Sequence, residues 1–225
     1  MIRSEIFTAF RAECPEITER VVGDSLLAVW AKLGDKLVCA LTRCIVSDFT
    51  FNSVATSSVY STRYDLTTEE SKFYDIDENP GGGVSFNDVP LDKTTVSELD
   101  AEDYSWRKRS AGTPEKWYRR GKYLYFDYPV ATAALEIRVY AVLVSDDFDN
   151  DNITPYNQLS FLEPFHWAIV LYLIWMAKKK VGKPEDALKA ENDFNAYCVF
   201  MRKTIGGNKY GPIRIQPTSG YVPQN

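Results

Sequence analysis

Apolar residues recur every three or four positions in two parts of the chain, one near its start and one near its end. After Asp24, a residue type that favours the N-cap, this spacing predicts a helix with an apolar stripe that packs on other helices. The stripe consists of Leu26, Trp30, Leu33, Leu37, Leu41 and Cys44. A shorter helix is predicted before it, from the cap residue Ser4 to near Pro15.

The second helical part begins at Pro164, because proline favours the first position of a helix. Residues 165–177 are almost wholly apolar, but these thirteen residues, interrupted by His166, are too short to span a bilayer. We expect a buried core helix that ends at Gly182 after three lysines. A final helix starts at Pro184, and its apolar side consists of Ala187, Ala190, Phe194, Tyr197, Cys198 and Met201.

Between these helical parts, apolar and polar residues alternate as they do in β-strands. Residues 46–59 are rich in Thr, Ser, Val and Phe, and residues 134–144 alternate cleanly, so both predict strands. One face of the second strand carries Leu135, Ile137, Val139, Ala141 and Leu143. Shorter candidate strands, separated by turns, are residues 71–76, Val84–Phe86 and residues 94–99.

These elements predict an α+β fold: a bundle of N- and C-terminal helices with an inserted, mostly antiparallel β-subdomain and an extended C-terminal tail. The N-terminal helices take residues 1–45 and the β-subdomain residues 46–145. The C-terminal helices that complete the bundle take residues 146–203, and the tail takes residues 204–225.

Composition narrows the function classes. The 225 residues include 45% apolar and 25% charged residues, which argues against wholesale disorder. A net charge of −5 argues against broad electrostatic capture of nucleic acid, but it is compatible with a passage through which DNA slides. Residues 1–11 are amphipathic and charged, without an apolar core segment, so we expect no signal peptide.

Metal-binding and catalytic motifs are incomplete. With a single histidine, the widely spaced Cys14, Cys39, Cys44 and Cys198 are poor material for a zinc site, and we expect small buried thiols in a reducing cytosol. Three aspartates from Asp147 to Asp151 have EF-hand spacing, but the required Gly and Glu are replaced by Asn152 and Gln158.

His166 could act as the base of a catalytic serine, but residues 83–87 lack the second glycine of the G-x-S-x-G turn that carries such a serine. The glycines at 81–83 are followed by neither the lysine nor the helix of a P-loop. We therefore predict no enzyme, no catalytic residue, no cofactor and no metal.

Residues 106–125 combine basic and aromatic residues, and two interpretations remain open. The basic residues are Arg107, Lys108, Arg109, Lys116, Arg119, Arg120 and Lys122, and the aromatic ones are Trp106, Trp117, Tyr118, Tyr123 and Tyr125. The segment is either a single-stranded nucleic-acid-binding module, in which bases stack on the rings, or a hairpin whose cations are solvated or pair with acidic neighbours. The sequence from Arg120 to Phe126 is similar to an RNA-recognition strand, but Lys122 occupies an aromatic position of that motif.

The order of the motifs resembles a known family. A Tyr64-Asp65-Leu66 element precedes the W-Y-R-R-G-K-Y-L-Y hairpin and the alternating strand, and a G-x-P-E-x-A helix follows at residues 182–187. This order resembles the head-to-tail adaptor proteins of tailed phages, including the tubular tail protein A type of podophages. The resemblance covers most of residues 1–203.

The resemblance implies a structural virion protein, assembled in the cytoplasm of the bacterial host. Such adaptors form rings, commonly of twelve copies, between the portal protein and the tail or nozzle proteins, and leave a central channel through which the packaged DNA passes without specific binding. A membrane has no part in this role.

A ring needs two distinct surfaces on each chain, because neighbouring subunits make heterologous contacts. We expect the hairpin to supply one surface and the Pro-rich tail to order mainly on a partner. The predicted contact residues are Trp117, Arg119, Arg120, Lys122 and Tyr123 in the hairpin and Tyr210, Ile213, Ile215 and Tyr221 in the tail.

Overall fold

The computed structural model describes residues 3–59, 63–78, 81–144 and 163–206. Its fold is mixed α+β, with helices at both ends of the chain and a curled β-sheet between them. The chain divides into two compact units, Met1–Cys44 together with Asp147–Asn225, and Ile45–Asp146. We call them the helical unit and the β-unit and describe each by itself.

Over the residues that the structure describes, the helical unit contains four α-helices: α1 (Arg3–Glu13), α2 (Asp24–Thr42), α5 (Trp167–Lys180) and α6 (Pro184–Gly206). Helix α5 contacts the other three, and α2 also contacts α6. Burial explains this central position, because α5 contributes a nearly continuous apolar set: Ala168, Ile169, Val170, Tyr172, Leu173 and Ala177. The predicted buried core helix is therefore confirmed.

The predicted apolar stripe of α2 is correct at Trp30 and wrong at Leu33 and Leu41, while Leu26, Leu37 and Cys44 are half-buried. The buried positions are Leu27, Trp30, Ala31, Gly34, Asp35, Val38, Cys39 and Thr42, whereas Leu33 and Leu41 are exposed. Gly34 lies on this packed face where α5 approaches closely: a Cβ atom built on Gly34 would lie 2.6 Å from Cδ1 of Tyr172. The N-cap is Gly23, and Asp24 lies in the first turn, where its Oδ1 accepts a hydrogen bond of 3.0 Å from Arg11.

The C-terminal helices agree better with the prediction. A short 3₁₀ turn (Glu163–Phe165) precedes α5, so the α-helix itself begins after Pro164, at Trp167. Gly182 has φ of +73°, as expected of a residue that ends a helix. Five of the six predicted apolar positions of α6 are buried, and the sixth, Tyr197, donates a hydrogen bond of 3.0 Å from its hydroxyl to the carbonyl oxygen of Pro164. Helix α6 continues to Gly206, three residues into the segment predicted as tail.

All four cysteines carry unoxidised thiols, and three of them are buried. Burial raises the pKa of the Cys198 thiol to about 12, so the thiol stays protonated at neutral pH. The three buried cysteines, Cys14, Cys39 and Cys198, act as small apolar core residues, as predicted, whereas Cys44 is only half-buried.

In its described residues, the β-unit contains eight strands, two short α-helices and a 3₁₀ turn (Trp106–Lys108). The strands are β1 (Val46–Asn52), β2 (Arg63–Asp65), β3 (Phe73–Ile76), β4 (Val84–Phe86), β5 (Val89–Lys93), β6 (Lys116–Arg120), β7 (Tyr123–Phe126) and β8 (Glu136–Leu143). The helices are α3 (Leu66–Glu69) and α4 (Val96–Glu102). The sheet order is β1-β8-β4-β5-β6-β7-β2, with β3 also on β8, and only β5 and β6 pair in parallel among the described strands.

The sheet curls until its two edge strands approach each other. Phe51 lies on β1 at one end of the order and Tyr64 on β2 at the other, yet their ring centroids are 5.2 Å apart. The curled sheet surrounds a core to which β8 contributes Ile137, Val139 and Ala141. The predicted alternation of this strand is confirmed.

The predicted strand at residues 94–99 is wrong. Strand β5 ends at Lys93, and helix α4 begins at Val96. A capping box explains the change: Oγ1 of Thr95 accepts a hydrogen bond of 3.2 Å from the Glu98 amide, and the Glu98 carboxylate accepts one of 2.7 Å from the Thr95 amide. This reciprocal pair of bonds outweighs the β-propensity of the two threonines and Val96.

Candidate functional site

The hairpin formed by β6 and β7 is the part of the β-unit that the sequence singled out. Its strands pair in register from Trp117 opposite Phe126 to Arg120 opposite Tyr123, which leaves a loop of two residues, Gly121 and Lys122. Gly121 has φ of +59°, a conformation that costs glycine little because it has no Cβ. We call residues 120–123 the hairpin tip.

One face of the hairpin belongs to the core. Trp117 is 2% exposed and lies in the main core of the β-unit with Leu124 and Phe126. Tyr118, on the other face, is also buried, because its ring packs edge-on against Trp106 and stacks on Tyr125 at 5.1 Å. Trp117 therefore has no side-chain surface to offer a partner while the β-unit is folded.

Ion pairs engage most of the cations in residues 106–125. Arg119 pairs with Asp75, donates a hydrogen bond of 3.1 Å to the carbonyl oxygen of Tyr74 and stacks over Phe73. Nζ of Lys122 lies 2.6 Å from Oδ2 of Asp65. The remaining pairs are Arg107 with Asp100, Arg109 with Asp103 and Asp127, and Lys116 with Glu102.

Two of the acidic partners have a second structural role. Asp65, the middle residue of the Tyr-Asp-Leu element, also caps α3 by accepting a hydrogen bond of 3.1 Å from the Thr67 amide. Asp127 is buried, and its Oδ1 accepts hydrogen bonds from the amides of Glu115 and Lys116 at 3.0 and 2.9 Å. Asp65 therefore connects the hairpin tip to α3, and Asp127 joins the two strands at the open end of the hairpin.

The pKa shifts agree with this network. The Lys122 ammonium, and after it Thr67, lowers the pKa of Asp65, while Asp65 raises the pKa of Lys122. Arg107, followed by Trp106, lowers the pKa of Asp100. The stability that these two carboxylates contribute is therefore present at neutral pH and is lost as the pH falls through their lowered folded-state pKa values. Burial dominates at Asp127 and raises its pKa.

Beside the hairpin lies a cavity of about 450 Å³. Its charged lining residues are Asp75, Glu78, Lys93, Arg119 and Arg120. Lys93 and Glu78 pair at 2.7 Å, and Arg119 pairs with Asp75, so these four charges cancel. Arg120 is exposed and, in the part of the chain that the structure describes, forms no ion pair. The cavity thus carries one net positive charge, at the hairpin tip.

Comparison with protein families indicates which class of protein carries this hairpin. Residues 1–198 match the family model described as SU10 adaptor protein. The chain belongs to the SU10 adaptor protein family. No curated protein matches the sequence.

Membership of the SU10 adaptor family confirms the resemblance to phage head-to-tail adaptors at the level of the family. It indicates a structural role in the virion, in contact with other phage head and tail proteins, and it suggests a protein that is not an enzyme. Within the described ranges, no helix is long and apolar enough to cross a membrane, and no group of three or more His, Cys, Asp or Glu residues is placed to hold a metal ion.

The SU10 adaptor fold separates the predicted contact residues into three groups. Trp117 is a core residue, and Arg119 braces the hairpin against β3. Arg120, Lys122 and Tyr123 lie at the hairpin tip, where Tyr123 is half-buried with the Arg63 guanidinium 5.1 Å and the Lys122 ammonium 5.2 Å from its ring centroid. The tail positions Tyr210, Ile213, Ile215 and Tyr221 lie outside the described residues.

Of the five rings in the hairpin segment of this SU10 adaptor, those of Trp106, Trp117 and Tyr118 are buried, which leaves the half-buried Tyr123 and Tyr125 for base stacking. Among the basic residues of 106–125, Lys108 and Arg120 are those without an ion pair in the described structure. We therefore expect weak binding of single-stranded DNA, with a slope of log K against log salt no steeper than about −1.4, the value for two phosphate contacts.

Filter binding at several salt concentrations measures this slope, with Arg120→Ala as the comparison variant. A slope of about −3 or steeper would require four or more phosphate contacts and would restore the nucleic-acid interpretation.

Proposed function

We propose that this SU10 adaptor forms a homo-oligomeric ring between the portal protein and the tail or nozzle proteins, with a central channel through which packaged DNA passes. The match of residues 1–198 to the adaptor family carries this proposal. The net charge of −5 supports the proposed channel, because an acidic protein offers little electrostatic attraction to the DNA phosphates at the channel wall.

Several finer features belong to the same proposal. They are a ring of twelve copies, a relationship to the tubular tail protein A type, assembly in the host cytoplasm, and a division of the chain into terminal helices, a β-subdomain and a tail. The C-terminal tail, including Tyr210, Ile213, Ile215 and Tyr221, is proposed to order on a partner.

The hairpin tip is the part of the β-unit that we assign to a partner contact. It presents the exposed guanidinium of Arg120, and the exposed ammonium of Lys122 that pairs with Asp65, beside the half-buried ring of Tyr123. Guanidinium and ammonium groups next to an aromatic ring suit a partner surface with exposed carboxylates, because each carboxylate gains a charge-assisted hydrogen bond. The proposed partner surface is therefore acidic.

Co-expression with the portal protein of the same phage, followed by negative-stain microscopy, tests the proposal. We expect annular particles when both proteins are present and monomers of the adaptor when it is alone. A parallel co-expression with Arg120→Glu separates ring formation from tip contact, since the reversed charge repels an acidic partner. Absence of rings for the natural chain, with the portal shown to be assembled, would contradict the proposed function.

A further inference from the structure

The C-terminal end of α2 brings together two cysteines that a continuous helix would keep apart. Residues five positions apart on an α-helix point about 140° away from each other, so Cys39 and Cys44 would not share a face. Helix α2, however, ends at Thr42. Arg43 then adopts the left-handed conformation, with φ of 55° and ψ of 39°, and its amide donates a hydrogen bond of 2.9 Å to the carbonyl oxygen of Cys39. A side-chain contact between the residue after the left-handed one and the residue whose carbonyl oxygen is bonded frequently accompanies such a helix end.

The two thiols make this contact. The Cys39 thiol donates a hydrogen bond to the Cys44 sulfur, and this bond, helped by a smaller effect of Thr42, outweighs burial and lowers the pKa of Cys44. Sulfur atoms in hydrogen-bond contact need only side-chain rotation to approach the disulfide bond length of about 2.05 Å. The two cysteines are therefore placed for a disulfide at the end of α2.

The two members of the pair differ in their access to solvent. Cys39 is 0% exposed, whereas Cys44 is half-buried. A partly exposed thiol with a lowered pKa is the kind that reacts with disulfide reagents, because the thiolate is the nucleophile and the reagent must reach it. Cys14 and Cys198 have the opposite properties, since both are buried and burial raises the pKa of each thiol. The structure thus distinguishes one reactive thiol, Cys44, from a buried neighbour.

We propose that Cys44 and Cys39 form a redox-active pair, which a small-molecule disulfide such as oxidised glutathione converts into an intramolecular disulfide. The Cys44 thiolate attacks one sulfur of the reagent, and the first glutathione leaves as its thiolate. The Cys39 thiol then loses its proton to water and attacks the Cys44 sulfur of the mixed disulfide, which releases the second glutathione. The protein loses two hydrogen atoms, and one molecule of oxidised glutathione becomes two molecules of reduced glutathione.

The pair lies where the chain leaves the helical unit. Cys44 is the last residue of the first segment of that unit, and Ile45 begins the β-unit. A bond between Cys39 and Cys44 encloses Arg43 and holds the last turn of α2 at this connection. Cytosolic thiols are kept reduced, and extracellular conditions favour disulfides. We therefore expect free thiols during assembly and the disulfide in released virions. This timing rests on the proposed assembly in the host cytoplasm, whereas the chemistry of the pair does not.

Peptide mapping of the full-length chain tests the pair. The chain is treated with oxidised glutathione, the remaining thiols are blocked with N-ethylmaleimide in urea, and trypsin digestion follows without reductant. Trypsin cleaves after Arg43, so Cys39 and Cys44 fall on separate peptides, residues 37–43 and 44–63. We expect these two peptides as a linked pair that dithiothreitol separates, while the other two cysteines carry maleimide.

Two alanine variants separate the steps of the reaction. Cys39→Ala removes the second thiol, so Cys44 is expected to retain one glutathione. Cys44→Ala removes the accessible thiol, so we expect neither a linked pair nor glutathione on Cys39. Alanine keeps a small apolar side chain at both positions, and circular dichroism compares the fold of each variant with that of the natural chain. In the natural chain before oxidation, N-ethylmaleimide is expected to label Cys44 at least about tenfold faster than the buried cysteines.

The peptide map of the natural chain is decisive even without the variants. A Cys44 that stays unmodified or keeps its glutathione would overturn the pair, as would a bond between the Cys44 residues of two copies. Cys198 is the competing partner within the chain, because its pKa is raised by burial and then by charge on Cys44, and a bond from Cys44 to Cys198 would also overturn the pair. All these results come from the isolated chain. Failure to form rings with the portal protein would contradict the proposed function and leave the thiol chemistry unaffected.

Discussion

Replacing Trp117 by alanine is expected to destabilise the β-unit by about 3–5 kcal/mol, the usual cost of deleting a buried large aromatic side chain. Trp117 is 2% exposed and packs in the main core with residues of β7 and β8. Replacing Arg120 by alanine, three positions away, is expected to change the free energy of unfolding by no more than about 0.5 kcal/mol, because its side chain is exposed. Urea unfolding followed by circular dichroism compares the two variants.

The same pair of variants separates structural from functional residues of the hairpin. Arg120→Ala is expected to weaken binding to the partner while the midpoint of unfolding stays constant. Trp117→Ala is expected to lower both the affinity for the partner and the midpoint of unfolding. Trp117→Phe keeps most of the buried ring and is expected to recover much of the lost stability. If Trp117→Ala leaves the unfolding midpoint unchanged, the side chain is not in the core and the assignment of the hairpin faces is wrong.

The sequence predicts those elements in which one strong local signal is present. The sequence predicts β8 and α5 correctly because one local pattern dominates in each. In β8 the buried residues follow the alternation of a strand, and in α5 they form an almost continuous apolar run. The prediction failed at residues 94–99, where two local signals compete. Thr94, Thr95 and Val96 favour a strand, but Thr95 followed by Glu98 forms a capping box and starts a helix.

The stripe of α2 could not be read from the sequence for a different reason. Leucines dominate the helix and their spacing predicts its packed side, but Leu33 and Leu41 are exposed. The side that packs depends on the approach of α5, which brings the Tyr172 ring against Gly34. The identity of a distant neighbour is a tertiary fact that residue spacing does not contain.

The hairpin illustrates the same limit at the candidate site. Its basic and aromatic residues were visible in the sequence, but their partners come from remote segments: Asp75 is 44 positions from Arg119. Without the fold, paired cations cannot be distinguished from exposed ones. The structure shows which hairpin side chains are buried or paired and which are exposed at the tip, and the Arg120 variants test the proposed contact.

The close contact between α2 and α5 gives the second large effect. Gly34→Leu is expected to destabilise the helical unit by about 3 kcal/mol or more, because overpacking a tight interface forces side chains and backbone apart. Even the first added atom collides: a Cβ on Gly34 would lie 2.6 Å from Cδ1 and 3.1 Å from Cγ of the buried Tyr172 ring. Helix propensity acts in the opposite direction, since replacing glycine within a helix gains about 1 kcal/mol, but this gain is smaller than the clash.

Thermal unfolding compares Gly34→Leu with Ser25→Leu, which introduces the same side chain at an exposed position of the same helix. The difference between the two variants separates the effect of the clash from the effect of adding a leucine to α2. A compensating variant tests the contact itself. Tyr172→Ala removes the ring that Gly34 faces, so the double variant is expected to be more stable than the sum of the two single effects by about 1–2 kcal/mol. Strict additivity would mean that the two residues do not touch, and α2 would then pack on α5 through some other face.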